Sequence, residues 1–514
     1  MLSKVKTCYI NGLVAADIEV EVDISNGLPA LNIVGLPDVA VKESKERVRA
    51  ALINSGFSFP MKRITINLSP ADVKKEGTHF DLPIALALLS ADEQIELKEE
   101  FEKAVVLGEL SLDGKVKRVY GVLPMLLEAK KRGFTKMVIP TENIEEAKIL
   151  DGVEIISVDS LKQLIEGIKG IKKMKTFIGN GADPKSELNQ YYDDDFCNIS
   201  GQENLKRALE IAAAGSHNVL MIGPPGSGKT LAAKSLPSIL PSLSFDEALE
   251  ITKIYSVAGI LDEGQGLVKK RPFRSPHHTS SMVSITGGGR IPKPGEVSLS
   301  NYGVLFLDET PEFNRNTLEV LRQPLEDGKI TISRANGTFS YPANFMLVCS
   351  MNPCPCGFYG TDSGHQCTCS PGQISRYIGK ISGPLLDRID LVVETTAVSY
   401  GDLTKKNTEN ESSKQIRERV EYARQKQAKR YDSSKIISNS QLSPALIKTY
   451  CKLDKETNNI LKEFFHNMNL SARALNRIIK VSRTIADLDQ SEQISSKHML
   501  EAMQYRSINS LFWR

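Results

Sequence analysis

The sequence predicts an α/β protein built around a parallel-sheet module, with an α+β domain before it and an all-α domain after it. Three observations lead there. The segments Val219-Leu-Met-Ile222, Gly303-Val-Leu-Phe-Leu307 and Asn344-Phe-Met-Leu-Val-Cys349 are continuously apolar, as strands covered by helices on both faces must be. The first of them runs straight into a glycine-rich turn, Gly223-Pro-Pro-Gly-Ser-Gly-Lys229-Thr230. Beyond Gln415 the chain reads as helices with no strand pattern.

Taken in order, residues 1–170 mix short apolar strands (Ile64-Thr-Ile-Asn-Leu68, Lys136-Met-Val-Ile-Pro140) with helices such as Val41 to Ser55 and Leu123 to Lys131, and form the α+β unit. Residues 171–195 turn polar and lose their apolar period, which predicts a linker. Residues 196–396 alternate helices with the continuous strands and form the central module. Residues 397–414 are a second polar linker, and 415–514 the helical domain. A chain of 514 residues is too long for a single hydrophobic core, and about three domains suit it.

The 41% hydrophobic and 25% charged shares are those of a soluble protein, and no apolar run nears the roughly 18 residues of a membrane span. Met1-Leu-Ser-Lys-Val-Lys-Thr lacks the apolar core of a signal peptide, so a cytoplasmic chain is expected. With 65 Lys plus Arg against 62 Asp plus Glu, any basic surface is local. Four of the eight cysteines fall at 354, 356, 367 and 369, which in such a chain points to metal binding more than to disulfides.

The turn carries the clearest chemistry. Gly223, Pro224, Pro225, Gly226, Ser227 and Gly228 set a loop whose backbone N–H groups converge on phosphates, Lys229 reaches the β/γ oxygens, and Thr230 ligates Mg²⁺. Strand, loop and helix (Leu231-Ala-Ala-Lys-Ser-Leu236) fall in the required order for an ATP site. The second strand ends in Asp308-Glu309: Asp308 suits the Mg²⁺ shell, and Glu309 suits polarisation of an attacking water.

The third strand delivers Ser350-Met-Asn352-Pro353. If the strands are neighbours, Asn352 stands beside the γ-phosphate, the sensor position of AAA+ proteins; an Asn before Pro also simply opens a turn. Ser382-Gly-Pro-Leu-Leu-Asp-Arg388-Ile-Asp390 is similar to the arginine-finger segment of the Mg-chelatase/MCM branch of that superfamily. As a finger, Arg388 acts on a neighbouring subunit's site; the alternative is an Arg388 paired locally with Asp387 or Asp390. In Leu470-Ser-Ala-Arg473-Ala-Leu-Asn-Arg477-Ile-Ile-Lys480, the apolar face leaves Arg473, Arg477 and Lys480 together. Arg473 matches the family's second sensor, and a merely solvated basic face is the other reading.

Cys354-Pro-Cys356 and Cys367-Thr-Cys369 bracket a loop that holds His365. Two close thiol pairs suit tetrahedral Zn²⁺, although C-x-C is tighter than the usual C-x₂-C, and four reduced thiols in a Pro/Gly-shaped loop are the alternative.

Gly223 to Thr230, Phe273-Arg-Ser-Pro-His-His278, Leu307-Asp-Glu309, Ser350 to Cys356 and Gly383 to Asp390 together resemble the YifB/ComM family of Mg-chelatase-like ATPases, over nearly the whole chain. The resemblance implies a Lon-protease-like (S5-like) domain, an AAA+ module and a helical Mg-chelatase C-terminal domain. It also implies a homo-hexameric ring and a helicase that promotes branch migration of DNA in transformation. In the Lon-like part, Lys75-Glu-Gly-Thr-His-Phe-Asp81 and Gly108-Glu-Leu-Ser-Leu-Asp-Gly114 place His79 and Leu123 where Lon proteases carry Ser and Lys, so no peptidase activity is expected.

A DNA motor is the leading expectation. Lys269-Lys-Arg-Pro-Phe-Arg274 and Gly287-Gly-Gly-Arg290-Ile-Pro-Lys293 are cationic and suited to phosphate contact. The alternatives are a Mg-chelatase-type remodelling ATPase acting on a protein partner and a non-enzymatic adaptor. Intact Lys229, Asp308 and Glu309 argue against the adaptor.

Overall fold

Ten strands in the first part of the chain alternate with helices, and eight of them form one mixed sheet. The strands are β1 (Leu2–Asn11), β2 (Val14–Ser25), β3 (Ala30–Val34), β4 (Arg63–Ser69), β5 (Val105–Val106), β6 (Glu109–Leu110), β7 (Val116–Lys117), β8 (Lys136–Pro140), β9 (Glu154–Val158) and β10 (Lys175–Ile178). In this computed structural model the sheet order is β10-β9-β8-β5-β1-β2-β4-β3, with β6 and β7 a separate hairpin. The structure describes residues 2–179, 181, 192, 194–290, 292–334, 337–361, 365–397, 401, 410–431, 436–468 and 470–507. The rest of the two expected linkers lies outside the described residues.

The chain divides into two compact units. The first holds Met1–Ser186 and Ser244–Val268, the second Glu187–Leu243 and Lys269–Arg514. In the first, β1 pairs antiparallel along its whole length with Val14–Asp23 of β2, and the helix Asp81–Ala91 is apolar on nearly every side and buried, as a helix must be when surrounded by protein. The strand β10 lies inside the stretch expected to be a linker. Lys175-Thr-Phe-Ile178 is long enough to add an antiparallel edge to β9, and exposed edge strands need little apolar signal.

The segment Ser244–Val268 departs from the expected continuous 196–396 module. Its helix, Phe245–Ala258, starts with a Ser244/Glu247 capping box. Phe245, Leu249 and Leu267 pack against the Val122, Leu126 and Met137 cluster of the first unit. Ser256 donates to the buried Glu146 carboxylate at 2.7 Å, and burial pushes that acid above its ordinary range.

The second unit is organised by a five-stranded sheet of β11 (Val219–Ile222), β12 (Phe273–Arg274), β15 (Val304–Leu307), β18 (Met346–Met351) and β19 (Leu391–Glu394). Its order is β12-β15-β18-β11-β19 and every pairing is parallel. All residues of β11, β15 and β18 are buried, which accounts for their unbroken apolarity. Two ribbons stand outside this sheet: β13 (Gly287–Gly288) with β14 (Lys293–Pro294), and β16 (Lys329–Arg334) with β17 (Gly337–Pro342).

The C-terminal helices are not a free-standing core. Ile416, Val420 and Ala423 of Ser413–Arg430, and Ile478, Ile479 and Ile485 of Ala472–Leu488, share one apolar cluster with Leu209, Ala212 and Val219 of the sheet module. No helix among the described residues is long and apolar enough to cross a membrane.

Candidate active site

The glycine-rich turn leaves β11 at Gly223, whose N–H donates to Met351 O of β18 at 3.2 Å. A side chain cannot stand there, because a Cβ on Gly223 would fall 2.0 Å from Thr395 Oγ1 and 2.4 Å from Thr395 O. The loop is tied on its far side as well: Ser227 Oγ lies 2.8 Å from Thr395 Oγ1. Gln202, held at φ 58°, donates its amide to Ser227 O (3.2 Å) and Thr396 O (2.6 Å).

Lys229 opens the helix Lys229–Ser235. Its ammonium donates to Gly223 O and Pro224 O at 2.8 Å each and lies 3.4 Å from Asn352 Oδ1. Burial lowers its pKa to about 8, against the pull of Asp308 and Glu309. Asn352 reaches this place because β18 is the direct neighbour of β11, which meets the condition on which its sensor position depends.

Thr230 Oγ1 donates to Asp308 Oδ2 at 2.9 Å. The other carboxylate oxygen takes the Ser350 hydroxyl and the Glu309 N–H at 3.0 Å. Glu309 is a non-glycine residue in the left-handed region, φ 50°, a conformation that persists only where surrounding bonds enforce it. His278 Nδ1 stands 3.8 Å from Glu309 Oε2. A cationic side chain in a glycine-rich turn, a hydroxyl against a carboxylate and a second, outward carboxylate suit Mg²⁺-nucleotide: Lys229 and the loop N–H groups for phosphate oxygens, Thr230 and Asp308 for the ion.

Comparison with known proteins gives the family. Residues 195–403 match the family described as magnesium chelatase, subunit ChlI; residues 20–143 match subunit ChlI of Mg-chelatase; and residues 410–506 match its C-terminal part. The chain is 44% identical over 513 residues to the Escherichia coli (strain K12) protein named uncharacterized protein YifB, covering 99% of this chain and 98% of that one. It is 42% identical over 500 residues to competence protein ComM of Haemophilus influenzae, covering 97% and 96%. The chain belongs to the YifB/ComM family of Mg-chelatase-like AAA+ proteins. A shorter match, 29% identical over 167 residues and 30% of each chain, is to Lon protease 2 of Bacillus subtilis (strain 168).

In this YifB/ComM-family chain the expected arginines stand apart from the P-loop contacts. Arg388 is buried and fully engaged within its own chain: its guanidinium donates to Arg322 O (3.1 Å), Pro384 O (2.8 Å) and the Glu326 carboxylate. Its acidic partner is thus Glu326 rather than Asp387 or Asp390. Asp390 is taken by Arg477 at 2.9 Å; burial alone would raise this carboxyl, but Arg477 and His217 hold it well below the usual range. Arg473 is the open one, its side chain 62% exposed and 3.8 Å from the second Glu326 oxygen.

The four loop thiols come together. Cys354, Cys356, Cys367 and Cys369 have all Sγ atoms within 4.8 Å of one another, while His365 packs at a tilt on Phe358, with ring centroids 5.0 Å apart. At the Lon-like positions, His79 is buried with Nε2 3.0 Å from Cys8 O, and Leu123 is buried in an apolar cluster.

Sequence reasoning missed Gln202 and Ser350 as site residues. Ser350 carried a signal, since it precedes Asn352 by two residues and so shares the face of β18 that Asn352 extends. Gln202 carried none.

Proposed function

We propose that this chain hydrolyses ATP with Mg²⁺ as a subunit of a homo-hexameric cytoplasmic ring that moves on DNA, as a helicase or branch-migration factor. One observation carries the ATPase reading: Lys229, Thr230, Asp308 and Asn352 converge at the ends of three adjacent parallel strands. In that reading Lys229 neutralises phosphate charge, Thr230 and Asp308 hold the ion, Glu309 orients and deprotonates water, and Asn352 contacts the transferring group. In the same reading Arg388, once released from Glu326, serves a neighbour's nucleotide, and the exposed Arg473 serves its own. Zn²⁺ at the four thiols completes the cofactor set.

The DNA part is supported by cations on two neighbouring ribbons and by a relative named for competence. A Cβ on Gly288 would lie 3.3 Å from the Arg334 guanidinium, so the ribbon bearing Arg290 and Lys293 runs beside the one bearing Lys329 and Arg334. The Lys269–Arg274 segment contributes less than its composition promised. Arg271 is spent on Pro241 O, Tyr302 O and Ser242 O, and Arg274 on Glu296 at 2.6 and 2.8 Å. A remodelling ATPase acting on a protein partner is the second reading, favoured by the Mg-chelatase matches along the chain.

Turnover measured without DNA and with single strands, duplexes and four-way junctions tests the proposal. Stimulation by one of these supports the DNA motor. Basal turnover indifferent to all of them overturns it in favour of the protein-remodelling reading. We also propose that the Lon-like unit lacks peptidase activity, since His79 and Leu123 supply neither hydroxyl nucleophile nor amine; casein cleavage abolished by no other change than His79→Ala would overturn that.

A further inference from the structure

We propose that the four-thiol loop, loaded with a soft divalent metal, is the brace that positions Asn352 and the phosphate-binding turn for turnover. The inference rests on the ATPase reading above and adds a positioning device to it.

The sulfur geometry suits one ion. Cys354 Sγ lies 3.3 Å from Cys356 Sγ and 3.7 Å from Cys367 Sγ, and Cys356 and Cys367 are 3.6 Å apart. A tetrahedral ion with metal–sulfur bonds of about 2.3 Å places its ligand atoms roughly 3.8 Å apart. A backbone N–H is aimed at a sulfur, as a thiolate ligand requires: that of Tyr359 donates to Cys354 Sγ at 3.3 Å. All-sulfur donors select Zn²⁺ or another soft ion over Mg²⁺.

Both ends of this loop close on the sensor. Cys354, buried completely, is two residues beyond Asn352, at the end of β18. After Cys369 the chain enters the helix Pro371–Ile378, capped by Ser370, and the Tyr377 hydroxyl of that helix lies near the Asn352 backbone N–H. The loop also touches the turn itself. Gly357, at φ 90°, is packed so closely on Pro225 that a Cβ there would fall 2.6 Å from Pro225 Cδ. Asn352 in turn stands 3.4 Å from the Lys229 ammonium. An ion that fixes Cys354 relative to Cys367 and Cys369 therefore fixes Asn352, the neighbouring Tyr377 and the Pro225 side of the turn in one rigid piece. Reactions that depend on placement lose rate steeply when it loosens by about an ångström.

The test starts from the full chain purified anaerobically. Metal analysis is expected to give one Zn²⁺ per chain; none, with no uptake of added Zn²⁺ alone, overturns the metal site. Stripping with a chelator under reducing conditions is expected to lower kcat about 10-fold or more while KM for ATP moves less than about 3-fold, and re-adding Zn²⁺ to restore it. Gly357→Ala keeps all four thiols, and is expected to keep its metal while losing turnover to a similar extent. Full turnover in the stripped protein or in Gly357→Ala overturns the brace but leaves the ATPase reading standing. Hydrogen exchange separates the opposite failure. On stripping, amides of 219–230 and 346–352 are expected to exchange faster and those of β1 and β2 to stay unchanged. Unchanged exchange in both site segments overturns the brace even if the chain hydrolyses no ATP.

Discussion

Thr230 Oγ1 donates to Asp308 Oδ2 across 2.9 Å although their strands are not neighbours. The strand β18 lies between β11 and β15, so the two strand ends are separated by two interstrand spacings, roughly 10 Å. Thr230 crosses that gap from the start of the helix that follows the turn, and Ser350 of the intervening strand holds the other Asp308 oxygen. A hydrogen bond to a charged group is worth about 1.5–3 kcal/mol. Ser350→Ala is therefore expected to raise the Mg²⁺ concentration for half-maximal turnover about 10-fold and leave binding of nucleotide without Mg²⁺ unaltered. Titration of turnover with Mg²⁺ checks it, and an unchanged midpoint would remove Ser350 from the site.

Lys229 and Glu309 separate binding from chemistry. Lys229→Ala is expected to abolish tight ATP binding, since it removes the ammonium beside the phosphate path. Glu309→Gln keeps shape and backbone, and is expected to bind ATP while turnover falls about 100-fold or more. Equilibrium binding with single-turnover assays reads both; ordinary turnover in Glu309→Gln would sink its assignment.

The lowered pKa of Lys229 has a visible sign. Burial holds the folded value near 8, against an ordinary 10.5, so between those values the native chain holds fewer protons than the unfolded one and stability rises with pH. Phosphate binding favours the ammonium, so ATP is expected to bind with uptake of about half a proton or more near pH 8.5 and almost none at pH 7. Calorimetry in two buffers of different ionisation heat measures this. Arginine does not deprotonate in proteins, so uptake that persists in Lys229→Arg would come from another group.

How much of this was legible in the sequence depends on range. The strands β11, β15 and β18 were readable because burial on both faces forces unbroken apolarity, and the turn because glycines, Lys229 and Thr230 fall at fixed offsets. The order of the strands was not readable, since any of three equally apolar runs could pair with any other; Asn352 became meaningful only when β18 fell beside β11. The helix Phe245–Ala258 has an ordinary amphipathic sequence, and nothing local says that Leu249 packs with Val122 rather than with the sheet that flanks it in sequence. Arg388 shows the same limit. Its neighbours Asp387 and Asp390 were the partners sequence could offer, whereas Glu326 is 62 residues away.

Acid is expected to loosen the first unit through His79. Burial holds this imidazole near pKa 4, against an ordinary 6.5, so it stays neutral in the fold while the unfolded chain takes up a proton below 6.5. The contribution is fully present above 6.5 and is lost as pH falls to 4, to the extent of about 3 kcal/mol. Hydrogen exchange at β1 and β2 between pH 4 and 6.5 gives the slope of local stability. His79→Gln is expected to flatten it whatever its absolute stability, and an unaltered slope would point to other groups.

Glu326 sets the last prediction, because it stands between the two arginines a nucleotide would need. One carboxylate oxygen pairs with Arg388 and the other lies 3.8 Å from Arg473. An arginine finger works only across a subunit boundary and contributes about 10³-fold or more to phosphoryl transfer. Arg388, buried and bonded to Glu326, has to leave that carboxylate before it can reach a neighbour. Arg388→Ala chains are expected to bind ATP without hydrolysing it, and Glu326→Gln, which weakens the local hold and keeps the arginine, to retain or raise turnover. A purely structural Arg388–Glu326 pair predicts instead that Glu326→Gln lowers stability and turnover along with Arg388→Ala, the arginine being buried and its carboxylate partner half-exposed. Mixing supplies the decisive arm. Inactive Arg388→Ala chains combined with inactive Glu309→Gln chains regain partial turnover if some interfaces then join an intact water-activating glutamate to an intact finger. A mixture that stays inactive while native mass spectrometry shows mixed rings would confine Arg388 to its own chain, leaving the pair with Glu326 as its role.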